Sequence, residues 1–211
     1  MPTPNTASTA ASTGRTARND DVRVYRLAQV SPAQIDALAE VLIDCVAGGA
    51  SVSFMHPLAP GRARAFWQQV ARDVESNARA LIVAEDAQGL VGTVQLVLDQ
   101  PENQPHRADL SKMLVHRRAR CRGVGAALLQ AAEAVAQDCG KTLLVLDTAS
   151  DEAARLYQRG GWQPCGVVPD YALLPMGGLC ATTFFYRRVG APPSAAGVDR
   201  GAPDAGPRAV R

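Results

Sequence analysis

The segment from His106 to Thr148 constrains the fold more than any other part of the chain. It opens with HRADLSKMLV (106–115), a strand pattern, and closes with TLLVLDT (142–148). The second run is almost continuously apolar, as expected of a strand buried on both faces. Between them, Val124, Ala127, Leu128, Ala131 and Val135 recur at helical spacing. That pattern predicts a helix over 123–138 with those residues inward and Gln130, Glu133 and Gln137 outward. Gly140 is placed to cap it. Strand, crossover helix and strand in this order close as a parallel pair, so any architecture for the chain is built around that unit.

The flanking segments add antiparallel elements. DVRVYRLA (21–28) alternates apolar and charged residues as a half-buried strand does. Ser31-Pro32 reads as an N-cap followed by proline at the first helical position. Ile35, Leu38, Ala39, Leu42, Ile43 and Val46 continue that helix, and Gly48-Gly49 stops it. Residues 50–61 form a loop, and 62–78 a second helix with Ala65, Phe66, Val70 and Val74 on one side. ALIVAED (80–86) and LVGTVQLVLD (90–99) pair as a hairpin across Ala87-Gln88-Gly89. A short helix over 151–159 ends at Gly160-Gly161, and residues 162–174 and 181–189 supply the last two strands. The expected fold is α+β (mixed α/β), a single mixed sheet of about seven strands flanked by about four helices.

Of the 211 residues, 1–20 and 190–211 read as disordered tails, rich in Thr/Ala/Ser and in Gly/Pro/Ala respectively. The domain is expected over 21–189. No apolar stretch of the roughly 7–15 residues of a signal peptide, or of the ~18 of a membrane span, occurs. The expectation is therefore a soluble, cytoplasmic protein without a membrane partner. A formal charge of +2, with no basic stripe, argues against nucleic acid. Cys45, Cys121, Cys139, Cys165 and Cys180 are scattered, and His56, His106 and His116 lack ligand spacing, so neither a metal site nor a disulfide framework is expected.

The chemistry concentrates in RRARCRGVGAALL (117–129), where Arg117, Arg118, Arg120 and Arg122 surround Gly123 and Gly125 at the start of a helix. The first turn of a helix has unpaired N–H groups and partial positive charge, and glycines let an oxygen approach closely. Such a site cradles phosphate; a tight basic turn with solvated arginines has the same composition. A Walker loop would need Lys-Ser or Lys-Thr after the glycines, and a dinucleotide fingerprint would need a third glycine where Ala126 and Ala127 stand.

R-x-x-G-x-G between strand and helix resembles the coenzyme A pyrophosphate motif of the GNAT-superfamily acetyltransferases. AARLYQRGGW (153–162), after LLVLDT, resembles that superfamily's A-x-x-L-Y-x-x-x-G-F/W helix. A finer likeness runs through GGASVSFM (48–55), HRADLSKMLV, LDT (146–148) and PDYALLPMGGLCATTFFYRRV (169–189). These segments resemble acetyltransferases related to the tabtoxin resistance protein, which acetylate an amine of a β-lactam amino-acid toxin.

The resemblance implies acetyl-CoA as co-substrate and a small-molecule primary amine as acceptor, with antibiotic or toxin resistance as a biological role. It implies that the backbone of Met113, Leu114 and Val115 receives the pantetheine arm. The pyrophosphate falls to Arg120, Cys121, Arg122, Gly123, Val124, Gly125 and Ala126. Tyr157 becomes the general acid for the departing thiolate. Asp109 and Asp147 become acceptor-binding carboxylates and candidate general bases, with Glu85 a weaker third. Ser150 stands where the superfamily often has an asparagine that touches coenzyme A. Phe54 and Met55 are expected to wall the acceptor site. Cys121 could in principle carry the acetyl group, but direct transfer in a ternary complex is the expectation. Dimers are common in the superfamily, and the final strand offers an interface. Protein or peptide N-acetylation, and acyl-CoA binding without catalysis, are the alternative functions.

Overall fold

A computed structural model of the chain describes residues 22–190. The expected N-terminal tail, and the C-terminal tail after Gly190, lie outside the described residues. The elements are β1 (Arg23–Leu27), α1 (Pro32–Ala47), α2 (Pro60–Glu75), β2 (Arg79–Asp86), β3 (Gly89–Val97), β4 (Arg107–Val115), α3 (Val124–Asp138), β5 (Leu143–Thr148), α4 (Asp151–Arg159), β6 (Gln163–Leu173) and β7 (Leu179–Arg188). All seven strands lie in one sheet of order β1-β2-β3-β4-β5-β7-β6. Among the described residues, only β4 and β5 pair in parallel, as the crossover unit requires. The expected architecture is the observed one.

Local chemistry explains the boundaries. Ser31 Oγ accepts the Gln34 N–H at 3.2 Å while Gln34 Oε1 accepts the Ser31 N–H at 2.9 Å, a reciprocal cap that fixes the start of α1. Helix α2 starts at Pro60, earlier than the sequence spacing predicts, because proline's fixed φ suits a first helical residue. It stops at Glu75, and Asn77 beyond it takes a left-handed φ of 58°.

Two cores lie on opposite faces of the sheet. Leu38, Leu42, Trp67 and Val70 from α1 and α2 pack on Leu81, Val83 and Leu114. On the other face, Leu128, Leu129, Ala132 and Ala136 of α3 pack with Ile82, Leu96, Leu144 and Phe185. The buried stripe of α3 is therefore Val124, Leu128, Leu129, Ala132 and Ala136, with Ala127, Ala131 and Val135 only half-buried. Glu133 corrects the expected outward face. Its carboxylate takes the Trp162 indole N–H at 2.9 Å and the Arg187 guanidinium at 2.9 Å.

Helix α3 sits close to β3 at Gly92. A Cβ there would stand 2.9 Å from the Leu114 carbonyl oxygen and 3.0 Å from Leu128 Cδ1. Backbone cannot yield as a side-chain tip can, so Gly92→Ala is expected to destabilise the fold by about 1–3 kcal/mol. Denaturant unfolding at unchanged m-value checks this, and an unaltered midpoint would contradict the packing described.

Two irregularities shape the functional region. Strands β4 and β5 pair only from Arg107↔Leu143 to Asp109↔Val145 and then part. In β4, Gln95↔Ser111 is followed by Thr93↔Leu114, so β4 uses one residue more than β3, and Lys112 takes a φ of 51°. A third departure follows from where the helices end. Leu144 and Leu146 are buried, but Leu143 and Val145 are half-buried and Asp147 is exposed. Among the described residues, the α1–α2 core includes no residue of β5, so the strand's burial is one-faced. The unpaired outer edge on this side belongs to β6, because β7, the final strand, lies between β5 and β6.

Candidate active site

A cleft of about 1320 Å³ opens where β4 and β5 part. That exceeds the roughly 300–1,000 Å³ of a pocket for one small ligand, so two molecules can meet in it. Its floor includes β4 residues 110–115, which have no strand partner on the β5 side. Met113 and Val115 pack toward the α3 core and Leu114 toward the α1 core, which leaves the β4 backbone as the surface presented along the gap.

One end of the cleft is the start of α3. Gly123, the N-cap, has φ 78°, a left-handed turn that glycine adopts without strain, and no side chain caps the helix. The first intrahelical bond runs from the Ala127 N–H to the Gly123 carbonyl at 3.1 Å. The N–H groups of Val124, Gly125 and Ala126 therefore have no intrahelical acceptor. Gly123, Val124, Gly125 and Ala126 all line the cleft, as do Arg120 and the exposed Cys121. The four arginines divide. Arg117 bonds Asp44 at 2.8 Å, while Arg118 and Arg122 converge on Asp86 at 2.7 and 3.4 Å. Arg120 reaches back to the Val115 carbonyl at 3.2 Å and remains at the cleft. Arg122 does not line it.

Tyr157 of α4 also lines the cleft while only 4% exposed, its ring 5.8 Å from Trp162 and 5.9 Å from Phe185. Burial, and next the Asp147 charge, push its phenol well above the ordinary value of 10.0. Asp147 stands at the end of β5 and accepts the Thr182 hydroxyl at 2.9 Å. Asp109 lies on the same face as Val145, its partner in register, and hence as Asp147 two residues on. Its carboxylate is engaged by Arg107 at 2.7 Å and by the Gln100 amide at 3.3 Å. Ser150 lines the cleft and caps α4, accepting the Ala153 N–H at 3.3 Å and donating to Glu152 at 3.0 Å.

The structure thus gathers Asp109, Asp147, Tyr157, Ser150, the β4 edge and the α3 N-terminus around one cavity. Phe54 and Met55 fall outside it. Phe54 turns to Phe66, ring centroids 5.3 Å apart, and Met55 is 41% exposed. The loop instead contributes residues 50–53 to the lining. It is tied to the β6–β7 hairpin by the His56 N–H on the Pro175 carbonyl at 2.9 Å. Glu85 is held by Arg23 and Tyr25 at 3.0 and 2.8 Å and does not line the cleft. Sequence reasoning missed Arg107, Lys112 and Thr182. Lys112 left one signal: strict alternation puts it in phase with the buried Leu110 and Leu114. Among the described residues, no group of three or more His, Cys, Asp or Glu is placed to hold a metal ion. No helix among them is long and apolar enough to cross a membrane.

The chain belongs to the acetyltransferase (GNAT) family, whose model matches residues 46–162. Solved structures repeat the fold. An N-acetyltransferase from Staphylococcus aureus Mu50 is 18% identical with a TM-score of 0.67, over 81% of this chain and 99% of that one. A GNAT-superfamily phosphinothricin acetyltransferase from Sinorhizobium meliloti, in complex with AcCoA, is 16% identical with a TM-score of 0.69, over 87% and 96%. A ribosomal-protein-alanine N-acetyltransferase from Brucella melitensis is 20% identical with a TM-score of 0.64, over 79% and 98%. At these identities the likeness is one of fold, and it spans proteins named for a small molecule and for a protein.

Proposed function

We propose that residues 21–189 form the catalytic domain of an acetyl-CoA-dependent N-acetyltransferase whose acceptor is a primary amine on a small molecule. The observation that carries this reading is the gap between β4 and β5, which runs to the uncapped N-terminus of α3. These residues fit acetyl-CoA: the free N–H groups and Arg120 suit a pyrophosphate, and the unpartnered β4 edge suits an amide-bearing arm. When bound, acetyl-CoA supplies an acetyl group activated as a thioester. The four site arginines do not share the pyrophosphate equally: Arg120 supplies the charge at the cleft, Arg122 is drawn to Asp86, and the N–H groups of Val124, Gly125 and Ala126 carry most of the contact. Cys121 lends backbone at the same turn. Ser150 contributes by capping α4, and so by setting the position of Tyr157.

Tyr157 holds the proton that the departing sulfur needs. Asp147 takes the proton from the acceptor ammonium, directly or through a water. For an amine of pKa near 10, losing that proton at pH 7 costs about 4 kcal/mol at 1.36 kcal/mol per unit. Asp147 suits the task better than Asp109, because a hydroxyl donor leaves its negative charge in place while Arg107 neutralises that of Asp109. The amine and thioester are brought together in one cavity, and positioning supplies most of the rate. Transfer is direct, without an acetyl-Cys121 step. The tie between the 50–58 loop and the hairpin narrows the acceptor side, which favours a small molecule over a protein segment.

Residues 48–55 and 169–189, which resemble the tabtoxin-resistance group, supply that loop and hairpin, and this supports a cytoplasmic role in inactivating an amine toxin or antibiotic. The test is acetyl-CoA binding together with thiol release across tabtoxinine-β-lactam, aminoglycosides, polyamines, amino acids and N-terminal peptides. Turnover with one small-molecule class is expected. Turnover with peptides alone would move the reading to protein acetylation, and binding without any turnover to a non-catalytic module.

A further inference from the structure

The cleft holds one charged group that acetyl transfer, as described, does not use. Lys112 sits at the β4 irregularity with φ 51°, a backbone conformation that costs a lysine energy and that the surrounding strand pairing imposes. The extra residue breaks the phase Lys112 would share with Leu110, which packs on the α3 side, and leaves Lys112 on the α1–α2 side with Leu114. Its ammonium approaches the Ser53 hydroxyl at 3.3 Å and lies 5.8 Å from the Phe66 ring centroid. Among the described residues it enters no ion pair: Asp109 is paired with Arg107, and Asp147, whose charge the Thr182 hydroxyl leaves in place, acts on Lys112 only at a distance. Burial, and next the Arg79 guanidinium, lower its pKa, while the Asp147 charge works the other way.

A half-buried cation satisfied by one hydroxyl and an aromatic face is costly unless something anionic completes it. The other basic groups of the cleft are engaged or lie elsewhere. Arg107 is bonded to Asp109 and Gln100, and Arg120 to the Val115 carbonyl. Arg155 and Arg159 belong to α4, which packs on the α3 face of the sheet, whereas Lys112 faces α2. Lys112 therefore shares its wall with Asp109, Asp147 and residues 50–53, where the acceptor enters.

We propose that Lys112 is a specificity-determining residue that receives an acid group carried by the acceptor, so that the preferred acceptor is a zwitterion with both an amine and an acid. This rests on the amine-acceptor reading above. The carboxylate wall around Asp147 takes the ammonium end, Lys112 with Ser53 takes the anionic end, and the two together set the orientation of the amine in the cleft.

The test pairs α-, β- and γ-amino acids with the amines formed by removing their carboxyl groups, and measures kcat/KM for each on the full chain and on Lys112→Met and Lys112→Arg. In the wild type, the best acceptor of the panel is expected to lose about 10- to 100-fold when its acid is removed, the range of one charged hydrogen bond. In Lys112→Met that discrimination collapses through a lowered kcat/KM for the amino acid, with the value for the amine lacking an acid and the KM for acetyl-CoA little changed. Lys112→Arg restores most of it, which a merely structural role would not produce. The best deaminated acid is expected to compete with the amino acid in the wild type and not in Lys112→Met. A wild-type preference for amines without an acid, or a preference that survives Lys112→Met, overturns the proposal while leaving the amine-acceptor reading intact. Acetyl-CoA binding with no transfer to any member overturns the proposal, and overturns the amine-acceptor reading as well only where the aminoglycosides, polyamines and tabtoxinine-β-lactam are also not acetylated.

Discussion

Replacing Tyr157 by phenylalanine is expected to lower kcat by about 10²- to 10⁴-fold, the range of a positioned general acid, with little change in acetyl-CoA affinity. The ring that packs on Trp162 and Phe185 is retained, so the substitution removes one oxygen and leaves the core. The raised pKa has a further consequence. The thiolate of a thiol near pKa 8.5 is a weaker base than the phenolate, so complete transfer from a phenol whose pKa lies above 10.0 runs uphill by more than about 2 kcal/mol. The Tyr157 hydroxyl must then act while the carbon–sulfur bond is breaking, through a strengthening hydrogen bond. Because its pKa lies above the ordinary 10.0, the phenol stays protonated across the neutral range, and it adds no alkaline limb to the kcat profile below about pH 10. A loss smaller than tenfold in Tyr157→Phe would remove the residue from the proposed chemistry, and an alkaline limb below about pH 10 that vanishes in this variant would contradict the raised pKa.

Asp147→Asn is expected to reduce kcat/KM for the amine by about 10²- to 10⁴-fold at pH 7. The asparagine oxygen still accepts the Thr182 hydroxyl, so the fold should hold. The sign of the pH dependence separates base catalysis from mere binding. As pH rises toward the amine's own pKa, solvent removes the proton that Asp147 would have taken, and the deficit shrinks. Asp109→Asn is expected to cost less than tenfold, since its carboxylate is already neutralised by Arg107. A large, pH-dependent loss in Asp109→Asn with a small one in Asp147→Asn would exchange the two roles.

The parts of the molecule that were legible in sequence are those whose signal is local. Ser31 and Gln34 form their cap within three residues, and the strand–helix–strand run from His106 declares its parallel pair through spacing alone. Tyr157 and the glycines of the α3 turn carry a motif. What escaped depends on partners distant in the chain. Glu133 looks solvent-facing until Trp162 and Arg187 arrive. Phe54 is an apolar loop residue that could face the cleft or the core, and Phe66 on the next helix decides for the core. Arg122 reads as a cofactor contact, yet the carboxylate it meets, Asp86, comes from the end of β2. The strand β5 reads as two-faced because its apolar run does not say how far the helices of the other layer extend. Lys112 needed the β4 irregularity, and a one-residue slip in strand phase leaves no mark in composition.

The short seam between β4 and β5 has a consequence for cooperativity. The sheet is two antiparallel blocks, β1–β4 and β5–β7–β6, joined by a parallel seam of a few residue pairs. Such a junction is a natural fault line for sub-global opening, and the smaller block, which among the described residues adds nothing to the α1–α2 core, is the one to open first. A molecule lying along the gap grips the β4 edge and the elements around β5 together, and so works as a splint. Its effect should be uneven: amide exchange in β5, β6 and β7 slows more on binding than exchange in β2 and β3 does, since ligand that binds only the closed form adds its free energy to every opening that breaks the site.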